Sequence, residues 1–184
     1  MRSETQGTIN STDYPSGGVV TIDFDASFAE QVVDDAHSYL GHPVIVLTKI
    51  RPEDNVARCP DCYDEVMGQS ANPACQNCWG TTFVGGYFAP IFSKAIFVEP
   101  KESLEITKTG LIRITTPYAT MGNSPRVREG DIIIKYSLVN GKVVLGDRYY
   151  IGDVEYKEIA PSYSLIGQRF AVVRMQWNDP LMSM

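Results

Sequence analysis

The chain is poor in the residues that most often carry chemistry. It has only two histidines, two tryptophans and four cysteines among 184 residues. His37 and His42 flank the end of an expected helix, which is poor spacing for sharing one metal, so a surface or capping role suits both. With every cysteine gathered elsewhere, no Cys–His or Ser–His nucleophile pair stands out. Lys and Arg are missing altogether from residues 59–93, where Asp61, Asp64 and Glu65 lie. A reader of phosphate backbones needs the opposite balance. No apolar run approaches the ~20 residues of a membrane-spanning helix. The opening MRSETQGTINSTDYPSGG is polar and lacks the apolar core of a secretory signal. A reducing cytosol is therefore expected, where paired cysteines bind metal more often than they form disulfides.

What is present suits one β-rich or mixed domain, or one domain with a small insertion. Hydrophobic residues make up 43% of the chain, enough to bury a sizeable core. The formal charge of -6 does not suit a general nucleic-acid binder. Four thiolates and one divalent cation would take it to about -8, because metal ligands must be deprotonated.

Residues 1–18 are rich in Ser, Thr, Gly and Asn without a period, and residues 1–26 read as a flexible arm ending in a short strand at 19–24. Ser27 and Glu30 form a capping box, Phe28, Val32, Val33, Ala36 and Leu40 follow at near-helical spacing, and Gly41 is placed to stop the helix. Residues 44–50 (VIVLTKI) read as a buried strand. Beyond Gly85-Gly86 come short strand candidates at 87–92, 95–98, 104–108, 111–116, 132–139, 142–145, 148–151, 154–159 and 168–176. Asn140-Gly141 is a type I′ hairpin signal, with Thr109-Gly110 and Gly152-Asp153 as further candidates. Many short strands at this spacing predict a mainly β fold, a barrel or sandwich with one N-terminal helix. No internal repeat is present. Residues 117–129 read as a long exposed loop, with Arg126 and Arg128 near its end open to a partner, a phosphate or solvent.

All four cysteines fall in two C-x-x-C pairs, Cys59-Pro60-Asp61-Cys62 and Cys75-Gln76-Asn77-Cys78. Each pair lets two sulfurs reach one ion from a tight turn, and a hairpin that joins the turns completes a tetrahedral S4 site suited to zinc. Asn72-Pro73 gives the intervening loop a turn. Two redox pairs or two disulfides are the alternatives. A closed S4 site has no open position for water, so one structural zinc per chain on Cys59, Cys62, Cys75 and Cys78 is expected. Lys49, Arg51 and Arg58 just before the site make a modest basic cluster, read as a solvated strand end. Gly85-Gly86 lacks a following helix and lysine for phosphate cradling and reads as a flexible exit. Asp34, Asp35, Glu129 and Asp131 are scattered carboxylates. Tyr149, Tyr150, Tyr156 and Phe170 read as core or interface residues. No catalytic residue is assigned, and a non-enzymatic role is expected.

Residues 58–87 (RCPDCYDEVMGQSANPACQNCWGTTFVGGY) resemble a zinc-ribbon insertion of tailed-bacteriophage neck proteins. Residues 146–159 (GDRYYIGDVEYKEI) are similar to the strand–turn–strand of head-closure, or head–tail connector, proteins. Together they cover about a quarter of the chain. One departure is Thr82, where related ribbons often carry glycine. The resemblance implies a barrel from about Pro43 onward with the ribbon inserted after its first strand. The implied organisation is an arm (1–26), helix and first strand (27–58), zinc ribbon (59–86) and barrel body (87–184). It further implies a virion structural protein, assembled in the host cytoplasm into a homo-oligomeric ring that joins portal to tail. Genome DNA would pass through the ring's channel without specific binding, and no membrane partner is implied. A zinc-ribbon adaptor for protein or RNA is the second expectation, and a C-x-x-C thiol oxidoreductase the third.

Overall fold

Strands rich in β-branched and aromatic residues account for about half of the described residues. The structure is a computed structural model that describes residues 7–9, 20–22, 26–72, 74–98, 103–107, 110–114, 117–159, 164–176 and 178–183. In chain order the elements are β1 (Gly7–Ile9), β2 (Val20–Ile22), α1 (Ala26–Leu40), β3 (His42–Leu47), β4 (Tyr63–Asp64), β5 (Gln69–Ser70) and β6 (Ile91–Val98). They continue with β7 (Ser103–Thr107), β8 (Gly110–Ile114), β9 (Tyr118–Met121), β10 (Ile132–Val139), β11 (Lys142–Ile159) and β12 (Ser164–Arg174). Six strands close into an antiparallel barrel in the order β10-β11-β12-β9-β6-β3, which decides for a barrel over a sandwich. The segment between β3 and β6 is inserted after the first barrel strand, where it was expected.

The lumen is filled by Val44, Val46, Ala95, Ala119, Met121, Val127, Ile133, Ile151, Phe170 and Val172. Strand β3 is buried on both faces. Val44 and Val46 point into the lumen, while Ile45 and Leu47 join Ile132, Ile134, Met175 and Leu181 in a second cluster outside it. Trp79 and Tyr87 from the insertion pack against that outer cluster, so the insertion is seated on the barrel wall. This explains why residues 44–47 read as an uninterrupted apolar run and not as an alternating one.

Several sequence expectations are corrected. Residues 117–129 are no simple exposed loop: β9 is a barrel strand with Ala119 and Met121 fully buried, and Val127 is buried too. The candidates at 142–145, 148–151 and 154–159 are one strand, β11. Its Gly152-Asp153 is not a hairpin turn; the register against β12 shifts between Ile151 and Val154, so the two residues are absorbed as a bulge. The candidate at 95–98 and the last two residues of that at 87–92 fall in one strand, β6, whereas residues 87–90 precede it. Asn140-Gly141 does form the expected turn, with φ of 52° and 74° and Val139 paired to Lys142. Thr107 pairs with Gly110, so β7 and β8 form a hairpin; Gly110 belongs to β8, and Thr109 of the expected Thr109-Gly110 turn lies outside the described residues. In the expected arm (1–26), β1 pairs with β2, Ala26 already belongs to α1, and the other residues of that stretch lie outside the described residues.

The helix begins at Ala26, which puts Ser27 in its first turn instead of at the cap. Its apolar residues do not share one buried face. His37 is buried, and its ring bonds Val33 O (2.7 Å) and Thr120 Oγ1 (3.2 Å), pinning α1 to β9. Phe28, Val32 and Leu40 are exposed. Gly41 ends the helix: its amide donates to His37 O at 2.9 Å, and a β-carbon there would collide with that same carbonyl.

Candidate metal centre

Two zippers of backbone hydrogen bonds form the stem of the insertion. Phe88 N donates to Thr48 O (2.9 Å) and Ile50 N to Gly86 O (3.0 Å), beside a bridge between Lys49 and Tyr87. Further out, Cys59 N donates to Thr82 O (2.9 Å) and Val84 N to Ala57 O (3.1 Å) around a bridge between Arg58 and Phe83. The outgoing and returning chains therefore run side by side, and this brings the second C-x-x-C turn back to the first.

Each turn is held locally. Tyr63 N donates to Cys59 O (3.1 Å) and Trp79 N to Cys75 O (2.7 Å). Asn77 Nδ2 donates to Asp61 Oδ2 (2.8 Å), joining one turn to the other. Between them β4 and β5 form a minimal hairpin, with Asp64 Oδ1 accepting from Val66 N and Met67 N and Gly68 at φ 66°. The Asn72 turn is present as well: its Oδ1 accepts from Ala74 N at 3.0 Å.

All four cysteines are buried, and their sulfurs lie within 4.8 Å of one another. Cys62 Sγ is 3.1 Å from Cys78 Sγ, and Cys59 Sγ is 3.9 Å from Cys75 Sγ. Both close approaches cross from one C-x-x-C pair to the other, as a single shared centre requires. Among the described residues this is the cluster able to hold a metal ion. Its donor set fits one ion with a preference for thiolate, and neither His37 nor His42 belongs to it.

The metal-free thiols resist ionisation unequally. Burial pushes the Cys59 and Cys78 thiols above the ordinary value. At Cys62 a hydrogen bond with Ser70 favours the thiolate, but the hydrogen bond with Cys78 and burial outweigh it, and the thiol is pushed up. Cys75 accepts from the backbone amide of Asn77 and falls to about 7.

The surrounding backbone is unusual. Trp79, Gly80, Thr82, Gly85 and Gly86 all have positive φ. Thr82, at φ 72°, occupies a left-handed position that a β-branched residue adopts at a cost. Its hydroxyl accepts from Arg58 Nη1 at 2.7 Å, and the Arg58 guanidinium lies over the rings of Tyr63 and Phe83. Gly86 is a fixed turn and not a loose exit: a β-carbon there would sit 2.6 Å from Cys78 O.

The expected basic cluster is dispersed into internal contacts. Arg51 pairs with the fully buried Asp131 at 2.9 Å and also donates to Lys49 O and Glu129 O. Asp131 in turn accepts from Lys49 N and Arg128 N, tying the stem to the segment before β10. Arg128 pairs with Glu53, and Arg126 lies over the Tyr156 ring. Tyr87 is pushed up to about 12 by burial and by nearby Asp131 and Asp179. Asp34, Asp35 and Glu129 are not gathered with Asp131 into an acid–base pair in any contact described.

Sequence reasoning missed Gln168. Its amide is buried in the barrel, accepting from Val127 N and donating to Gly122 O and Pro125 O, each at 2.8 Å. Nothing in the local sequence pattern marks such a role. No helix of the described residues is long and apolar enough to cross a membrane.

Set against known proteins, the chain matches no family model, and no curated protein is similar to it.

Proposed function

We propose that the protein is a structural subunit of the neck of a tailed bacteriophage. In this reading it forms a homo-oligomeric ring that joins portal to tail and helps close the DNA-filled head. The observation that supports it best is a closed six-stranded barrel carrying a four-cysteine knob inserted after its first strand and seated on the barrel wall through Trp79 and Tyr87. The metal is zinc, held by Cys59, Cys62, Cys75 and Cys78, and it is structural: four thiolates complete a tetrahedral shell and leave no position for water. The thiol-oxidoreductase reading is less well supported, because an attacking thiol must be reachable and all four are buried. The protein would reside in the virion after assembly in the host cytoplasm.

Two measurements test this. Metal analysis of the purified chain should find one zinc per chain and no thiol that reacts before chelation. Light scattering should find a ring that binds a purified portal ring. A chain that stays monomeric and ignores portal would overturn the neck assignment while leaving the zinc site intact.

A further inference from the structure

Among the described residues, two groups of exposed apolar side chains lie on opposite walls of the barrel. The first is the end of the β10–β11 hairpin. Strand β10 pairs with β3 over Ile132–Lys135, and beyond it the hairpin continues as a two-stranded ribbon with no third strand among the described residues. Tyr136 pairs with Leu145 and Leu138 with Val143, which puts four large apolar side chains on one ribbon face. Phe92 meets Tyr136 edge-on at 5.6 Å and extends this face across β6. Leu138, Phe92, Val143 and Leu145 are 68%, 59%, 47% and 44% exposed. A ribbon of this kind with free edges invites pairing or covering.

The second surface is the outer stripe of α1. Phe28, Val32 and Tyr39 fall on one helical face and are 70%, 51% and 87% exposed, with Leu40 beside them. The helix packs on β12 and β6 and bonds β9 through His37. In the six-strand order β9 lies diametrically across from β10. Both surfaces also reach the same end of the barrel: α1 finishes where β3 begins, and the ribbon projects past that end of β3.

Their charges are complementary. Residues 132–146 carry Lys135 and Lys142 and no acid, whereas residues 26–40 carry Glu30, Asp34 and Asp35 and no Lys or Arg. Lys135 is engaged over the Phe97 ring, which leaves Lys142 at the ribbon tip as the exposed cation.

We infer that the ribbon of one copy of this chain docks on the α1 stripe of the next. The contact joins two different surfaces, so it is heterologous, and repeated head to tail it builds a ring, where the rotation closes, instead of a two-fold dimer. The inference rests on the ring reading above and specifies the surface that would build it.

The test uses the zinc-loaded full chain and two double variants at exposed positions. One breaks the ribbon (Leu138→Glu with Val143→Glu), the other the helix (Val32→Glu with Tyr39→Glu). Each alone should fall to the 20.4 kDa monomer. An equimolar mixture should give a dimer and nothing larger, since one intact ribbon meets one intact helix and the other ends are blocked. Either variant retaining the wild-type size would overturn this interface and spare the ring. Monomers in the mixture would overturn the heterologous pairing. A wild-type chain that is monomeric throughout would overturn both readings. Hydrogen exchange on the unaltered chain gives an independent check: raising its concentration should protect residues 28–40 and 136–145 together. Protection confined to other segments counts against the interface even if a variant fails to fold.

Discussion

Thr82 shows how one residue records the demands of the metal knob. Its left-handed backbone conflicts with its branched side chain, while its hydroxyl holds Arg58. Thr82→Gly and Thr82→Ala both lose that hydrogen bond, and only glycine relieves the backbone. The glycine variant should therefore be more stable than the alanine variant by about 1 kcal/mol in urea unfolding with excess zinc. The cysteines make a prediction about protons. Cys59, Cys62 and Cys78 are pushed above their ordinary value and are protonated at neutral pH without metal, whereas Cys75 at about 7 is partly ionised. An ion bound by all four thiolates must displace the protons that remain, so its affinity should weaken as pH falls. Calorimetry in buffers of different ionisation enthalpy should find at least three protons released per zinc at pH 7. Release of one or none would mean that the four thiols do not ligate together.

At the scale of elements, success and failure in reading the sequence have specific causes. The cysteine pairs were legible because ligand spacing is a local property, and the I′ turn at Asn140-Gly141 because both residues tolerate positive φ. Strand β9 was not, because Tyr118–Met121 is short, follows a proline and runs into Gly-Asn-Ser-Pro, so turn chemistry hid it. The length of β11 was hidden by Gly146-Asp147 and Gly152-Asp153, which look like turns and are instead accommodated inside a strand with shifted register. The buried face of α1 was misjudged because the helix is apolar on two sides. The segment after β9 is held by Gln168, whose three hydrogen bonds no local pattern reveals. Gln168→Leu should strand three backbone groups and cost on the order of 3 kcal/mol, read as a lowered denaturation midpoint with an unchanged slope.

On the scale of the whole molecule, two cores divide the work. The lumen cluster draws on barrel strands and the segment after β9, with no residue from the knob. The outer cluster needs Trp79 and Tyr87 from the insertion and Met175 and Leu181 from the C-terminal segment. Chelation should therefore be felt unevenly. Hydrogen exchange should show the stem and knob, residues 49–87, losing protection first, with Ile45 and Leu47 weakened next. Ile133, Ile151 and Phe170 should remain protected. Uniform loss across the barrel would show that the metal holds up the entire fold and not only the inserted knob.

The seam between β3 and β6 also bears on the order of events during folding. These strands pair directly, Val46 against Ile91, although about forty residues separate them along the chain. A disordered insertion of that length must be closed at an entropic cost before the pairing contributes anything. Once the four thiols gather around an ion, Cys59 and Cys78 are already neighbours, and the distance the chain must search shrinks to the short stem on either side. An ion held there would act early as a splice that presents β6 to β3. Stopped-flow refolding should accordingly be slower with chelator present than with zinc, even in variants whose barrel is equally stable in both.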